Sequence, residues 1–196
     1  MSRWEPNARE RLTRAAMELY RERGYDQTTV AEIAEQAGLT ERTFFRYFAD
    51  KREVLFAGQE QLLEVYTATI AAAPGTATPM ELVEAALLAV APVFDERREF
   101  SRLRHAVISA HPELQERELL KRASMAAAIA AALRQRGLPE PTASLAAEAG
   151  TITFKTAYSR WVTDPGRPDL AQLIRETIGQ FAALAAPAPA AAAGHR

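Results

Sequence analysis

Between Thr29 and Phe48 the sequence TVAEIAEQAGLTERTFFRYF packs two helix starts, one glycine stop and four rings into twenty residues. Few folds accommodate that. Thr28 or Thr29 can cap a helix, and Glu32 stands three residues after Thr29, as a capping box requires. Ala37-Gly38-Leu39 reads as a tight turn, and Thr40 can cap the next helix with Glu41 at the positive end of its dipole. Two short helices joined by a glycine-containing turn make a helix-turn-helix.

The second of these helices decides what the unit presents. Each residue advances about 100° around a helix, so Phe44 and Phe48 share one face and Arg42 and Arg46 the opposite one. Leu39, Phe44 and Phe48 form the expected core set. Phe45 falls about 100° from Phe44 and sits with Thr43 on the flanks of the arginine face. Such a face suits a DNA major groove, where arginine bonds guanine bidentately and threonine or phenylalanine meets a thymine methyl. Tyr47, Lys51 just past the Ala49-Asp50 break, and Thr28 and Thr29 are the candidate phosphate contacts.

Arginines four apart are commonly just a solvated face, and aromatic residues at helical spacing are commonly core. The combination of two capped helices, a glycine turn and an outward Phe45 is what favours a reading surface. Residues 1 to 53 hold ten Lys and Arg against ten Asp and Glu, so DNA affinity has to come from local placement of charge, with weak non-specific binding.

Apolar residues elsewhere also recur at helical spacing, as at Leu12, Ala15, Ala16 and Leu19, and no period-two strand is evident. Breaks at Gly24-Tyr25, Ala37-Gly38-Leu39, Ala49-Asp50, Pro74-Gly75, His111-Pro112, Gly137-Leu138-Pro139 and Asp164-Pro165-Gly166 mark off about nine helical segments, with a further candidate break near Pro92 to Asp95. The expected fold is all-α: a three-helix DNA-binding unit over residues 1–50, a helical regulatory and dimerisation unit over 51–184, and an alanine-proline tail over 185–196 read as disordered. The fourth helix is expected to run unbroken from Lys51 to about Ala73.

The chain has no cysteine, which excludes disulfide frameworks and thiolate chemistry and fits a cytoplasmic setting. No apolar run reaches the roughly 20 residues needed to cross a bilayer. No metal, catalytic or cofactor site is expected. His105 and His111 are six apart and off a common helical face, and no phosphate loop or nucleophile elbow occurs. A DNA-wrapping architectural protein is the rival among binding proteins, but residues 54 to 96 contain no lysine or arginine. A helical small-molecule binding module is the other alternative.

The run TTVAEIAEQAGLTERTFFRYFADKREVLF, with RAAMELYRERGYD before it, resembles the DNA-binding signature of the TetR family of bacterial transcriptional regulators from about Arg9 to Phe56. By that resemblance Arg42, Thr43, Phe45, Arg46 and Tyr47 face DNA, Lys51 meets phosphate, and Phe44 and Phe48 are buried. Glu41 departs from the family, in which many members carry a basic residue there. The resemblance further implies a homodimer on a double-stranded palindromic operator. Pairing would run through the last two helices, about Glu140–Val162 and Asp169–Leu184, with Leu145, Ala149, Ile152, Leu173, Ile174, Ile178 and Phe181 as contacts. It also implies a repressor released by a small-molecule effector, with the fourth helix as lever. Tyr66, Phe94, Leu103, Arg104, Val107, Phe154 and Tyr158 are the candidate effector contacts, joined by Leu88 and Trp161. The stretch RREFSRLRHAVISAHPELQERELL is similar to a subgroup whose effectors are acyl-CoA-like, and Arg104 is its candidate anion ligand.

Overall fold

The computed structural model describes residues 7–185 and contains, among them, ten α-helices and no strand. The order is α1 (Ala8–Arg23), α2 (Val30–Gln36), α3 (Glu41–Tyr47), α4 (Lys51–Val54), α5 (Gln59–Ala72), α6 (Pro79–Glu96), α7 (Arg98–Ala110), α8 (Pro112–Gln135), α9 (Glu140–Thr163) and α10 (Leu170–Ala185). The alanine-proline tail lies outside the described residues apart from Ala185, which ends α10. No described helix is long and apolar enough to cross a membrane.

Two apolar cores form. The first gathers Leu12, Ala16 and Leu19 of α1, Ile33 of α2, and Phe44 and Phe48 around α3. It runs past residue 50 to take in Val54, Leu55 and Phe56, and it borrows Val107 and Ile108 of α7 and Leu114 of α8. The second joins α5, α6, α8, α9 and α10 around Tyr66, Leu82, Leu87, Ile129, Trp161 and Ile174. Gly150 lets α9 lie against α6, because a Cβ there would stand 2.4 Å from Val83 Cγ1.

The tenth helix arises where one long fourth helix was expected. α4 ends at Val54, Gly58 takes a left-handed φ of +91°, and α5 starts afresh at Gln59. Val54, Leu55 and Phe56 follow one another at this turn, and all three are buried in the first core. Pro92 does not break α6. It sits on an exposed side of the helix, and the change of direction comes at Arg97.

Candidate nucleic-acid interface

The geometry of the reading helix follows from local signals. Thr29 accepts from the Glu32 amide at 3.3 Å while Glu32 accepts from the Thr29 amide at 2.8 Å, closing the capping box. Those bonds hold the Glu32 carboxyl below its ordinary pKa. Gly38, at φ +64°, ends α2, and Leu39 donates to Ala34 O at 2.8 Å. Arg11 of α1 donates to the carbonyls of Ala37 and Gly38, so the turn is tied to the first helix as well. Thr40 then caps α3 through the Thr43 amide at 3.2 Å.

On α3, Phe44 is fully buried and Phe48 nearly so, while Phe45 is 55% exposed and Tyr47 39%. Arg42 and Arg46 are exposed and Thr43 half-buried. The Thr43 hydroxyl lies 3.1 Å from Thr40 Oγ1. Arg46 folds over the Tyr47 ring, 4.9 Å from its centroid, and donates to its hydroxyl at 3.2 Å. Arg42, Phe45, Arg46 and Tyr47 are therefore all exposed among the described residues.

The expected phosphate contacts divide. Thr29 is exposed at the start of α2. Thr28 is buried and its hydroxyl donates to Gly24 O at 2.8 Å, so it serves the loop instead of the surface. Lys51 is likewise turned inward. Its ammonium donates to Tyr25 O, Asp26 O and Thr28 O at 2.8, 3.2 and 2.9 Å and stands 4.5 Å from the centre of the Tyr25 ring. An ammonium has three donors, and all three are spent on this loop. Burial pushes the Tyr25 hydroxyl up to about 12.

The seven candidate effector contacts do not form one site. Phe94, Phe154, Tyr158 and Trp161 make a cluster with ring centroids 5.3 to 6.3 Å apart, which is aromatic packing and leaves the rings filling each other's space. Burial raises the Tyr158 pKa, and its hydroxyl donates to Ser101 O at 3.2 Å. Tyr66 is fully buried in the second core, where its hydroxyl has no partner; the Thr153 hydroxyl of α9 is also buried and unpartnered. Leu103 and Val107 pack against the first core, facing the reading unit and not the regulatory interior.

Arg104 departs furthest from expectation. Its Nε donates to Leu55 O at 2.6 Å, its Nη2 meets Glu118 at 2.7 Å, and its guanidinium covers the Phe56 ring at 5.1 Å. Beside it Glu53 accepts from Arg117 of α8 and stands 3.9 Å from Lys121. These groups clamp the turn between α4 and α5 to α7 and α8, which makes Arg104 a junction residue and not an open anion ligand. Nothing in the spacing of RREFSRLRH announces this, since the partner is a backbone carbonyl 49 residues away. Hollows of about 460 Å³ beside Arg11, Arg14 and Gln36, and of about 260 Å³ between Tyr47, Phe56, Gln59 and Lys121, lie away from the aromatic cluster. Among the described residues no group of three or more His, Asp or Glu gathers where a metal ion could sit.

On the last two helices Leu145 is 72% exposed, Ile152 55% and Phe181 37%. Of the other residues expected as contacts for a second copy, Ala149, Leu173 and Ile174 are buried within the chain itself, and Ile178 packs partly buried against the second core.

Residues 12–57 match the family model of bacterial regulatory proteins, tetR family, and residues 77–186 match that of the MftR C-terminal domain. The HTH-type transcriptional regulator TcmR of Streptomyces glaucescens is 38% identical over 82 residues, covering 42% of this chain and 36% of that protein. The match thus spans little more than a third of that relative. Among solved structures, FadR of Thermus thermophilus in complex with lauroyl-CoA is 24% identical with a TM-score of 0.59, covering 95% of this chain and all of that one. FadR of Bacillus subtilis in complex with stearoyl-CoA is 20% identical with a TM-score of 0.64, covering 88% of this chain and 96% of that one. These likenesses establish the fold.

Proposed function

The chain belongs to the tetR family of bacterial regulatory proteins, and from that premise we infer that it is a repressor whose α3 enters the major groove of a palindromic operator until a small effector releases it. The observation that carries the reading is the exposed face of Arg42, Phe45, Arg46 and Tyr47 on a helix capped by Thr40. Thr43 joins that face at its edge, and Thr29 with the α2 amides contacts phosphate.

A two-fold operator requires a two-fold protein. The exposed Leu145, Ile152 and Phe181 on α9 and α10 support pairing through those helices. Residues 1–50 carry the reading function and 51–184 the regulatory one, though α7 and α8 reach into the first core. Transcriptional control places the protein in the cytoplasm, acting by binding and not by catalysis.

The effector is read as apolar or amphipathic, of the acyl-CoA type that the two FadR structures contain. It enters among Tyr66, Phe94, Phe154 and Tyr158, where the unpartnered hydroxyls of Tyr66 and Thr153 offer polar anchors once the rings part. Because Gly58 interrupts the lever, the signal passes through the clamp that Arg104, Arg117 and Glu53 form on the α4–α5 turn. Enrichment of random duplexes on the purified protein, then sedimentation of the complex before and after lauroyl-CoA, tests this. A palindrome bound by two copies and released by the acyl-CoA is the expected result. Failure to enrich any sequence, or one copy per site, contradicts it.

A further inference from the structure

We propose a second effector site, separate from the ring cluster of α6 and α9: the hollow of about 260 Å³ where the reading and regulatory units meet, which takes a small uncharged aromatic carboxamide. Residues of α1, α3, α5 and α8 enclose it, among them Arg9, Tyr47, Gln59 and Lys121. Two polar atoms of these walls are buried without a partner, a donor at Arg9 Nε and an acceptor at Gln59 Oε1. The Gln59 amide cannot be turned round, because its Nε2 donates to Lys121 O at 3.2 Å and a flip would set oxygen against oxygen. Native proteins rarely leave such groups unmatched, so the pair points to a ligand that brings one acceptor and one donor.

The charges around the hollow are already matched. Arg9 stands 3.8 Å from Glu60, and Glu53 pairs with Arg117 and stands 3.9 Å from Lys121. A charged ligand therefore finds no counter-charge to spare. Phe48, Phe56 and Leu63 supply apolar wall, with the Arg9 guanidinium 5.7 Å from the centre of the Phe48 ring. One ring bearing a carboxamide meets both demands: the ring packs on the phenylalanines, its N–H donates to Gln59 and its carbonyl accepts from Arg9. Sites for drug-sized ligands run to roughly 300–1,000 Å³, so this smaller hollow holds about one such ring.

The link to DNA is Tyr47, and this part rests on the reading that α3 enters a major groove. Tyr47 lines the hollow, and its hydroxyl accepts from Arg46 Nη2 at 3.2 Å. A ligand packed on the Tyr47 ring holds that pair back from the groove, so occupancy weakens operator binding without passing through the α4–α5 turn.

Benzamide, benzoate and benzylamine separate the requirements, since benzoate has no donor for Gln59 and benzylamine no acceptor for Arg9. Each is titrated into the full chain while backbone amide shifts are followed by NMR. Benzamide is expected to shift amides around residues 47–63 and 121–124 saturably, and to bind about fivefold tighter than either relative, the worth of one hydrogen bond. Gln59→Met, which keeps the side-chain length, is expected to lose about fivefold in benzamide affinity. Saturating benzamide is expected to weaken binding to the enriched operator at least about fivefold, read by anisotropy. Absent shifts, shifts elsewhere in the chain, or equal affinity for the three compounds overturn the site, and the unaltered chain decides this even where Gln59→Met folds poorly. Binding in the hollow with unchanged operator affinity overturns its coupling to DNA. Failure to enrich any duplex sinks the groove reading, while the titration still decides the site.

Discussion

The reading unit and the regulatory unit are both helical, yet they are stabilised by different means. α2 and α3 are seven residues each, too short to persist on their own. Each has a threonine cap, and side chains from elsewhere are tied to the carbonyls around them, Arg11 on the turn and Lys51 on the loop before α2. α8 and α9 run 24 residues each with no side-chain cap at their starts, and they rest on packed area. Short helices held by specific bonds keep one face free for a partner, whereas the long helices rest on packed area along one side and still leave Leu119, Leu120, Leu145 and Ile152 exposed on the other.

The largest effect that could break this contrast lies on α3 itself. Phe44→Ala should cost about 3–5 kcal/mol, as for other buried rings, whereas adjacent Phe45→Ala, which loses one edge-to-face contact of a half-exposed ring, should cost about 0.5–1.5 kcal/mol. Chemical denaturation of both variants measures the pair. Similar losses would mean that Phe45 is not a free surface residue.

Lys51→Met comes next. It keeps the stem but releases three loop carbonyls, and a bond to a charged donor is worth about 1.5–3 kcal/mol. Thermal unfolding should show that loss, and hydrogen exchange should place it at residues 25–28. A fully stable variant with weakened DNA binding would instead return Lys51 to a phosphate-contact role. In the regulatory unit, Gly150→Ala tests area packing. Overpacking against Val83 costs about 1–3 kcal/mol, of which alanine's better helix propensity offsets about 1, leaving a net loss near 1 kcal/mol. A gain in melting temperature would show that α9 and α6 can separate freely.

The smallest expected effect is that of pH at the junction. The Val107 carbonyl and then Asp26, facing the two ring nitrogens, raise the His111 pKa. Its contribution is complete below the ordinary histidine value of about 6.5 and is lost as pH rises through the raised one. Burial depresses His105, so its term runs the other way: stability is complete above about 6.5 and falls as pH drops below it. Urea titrations of His111→Gln and His105→Gln across pH 5 to 8 should shift in opposite senses, and identical profiles would contradict both assignments.

Legibility in the sequence follows the same contrast. The capping box at Thr29, the glycine turn and the outward Phe45 could all be read from the chain, because their causes lie within four residues of each other. The inward Lys51 and the junction role of Arg104 could not, because their partners are carbonyls 23 to 49 residues distant. The break at Gly58 had one local sign, a glycine within the expected helix, which takes a left-handed φ of +91° in the structure. The effector site was the least legible. Rings that line a pocket and rings that fill a core have the same spacing, and Phe94, Phe154 and Tyr158 are packed on each other.

The most direct test of the reading face is the affinity of the unaltered chain and of Arg42→Ala for the enriched palindrome and for an unrelated duplex, by anisotropy at one stated salt concentration. The expected Kd is about 10⁻⁸ M or tighter for the palindrome and weaker than about 10⁻⁶ M for the unrelated duplex, with most of that difference lost in Arg42→Ala. Equal, weak binding to both duplexes, or a difference that survives in Arg42→Ala and Phe45→Ala alike, would contradict the claim that α3 reads DNA.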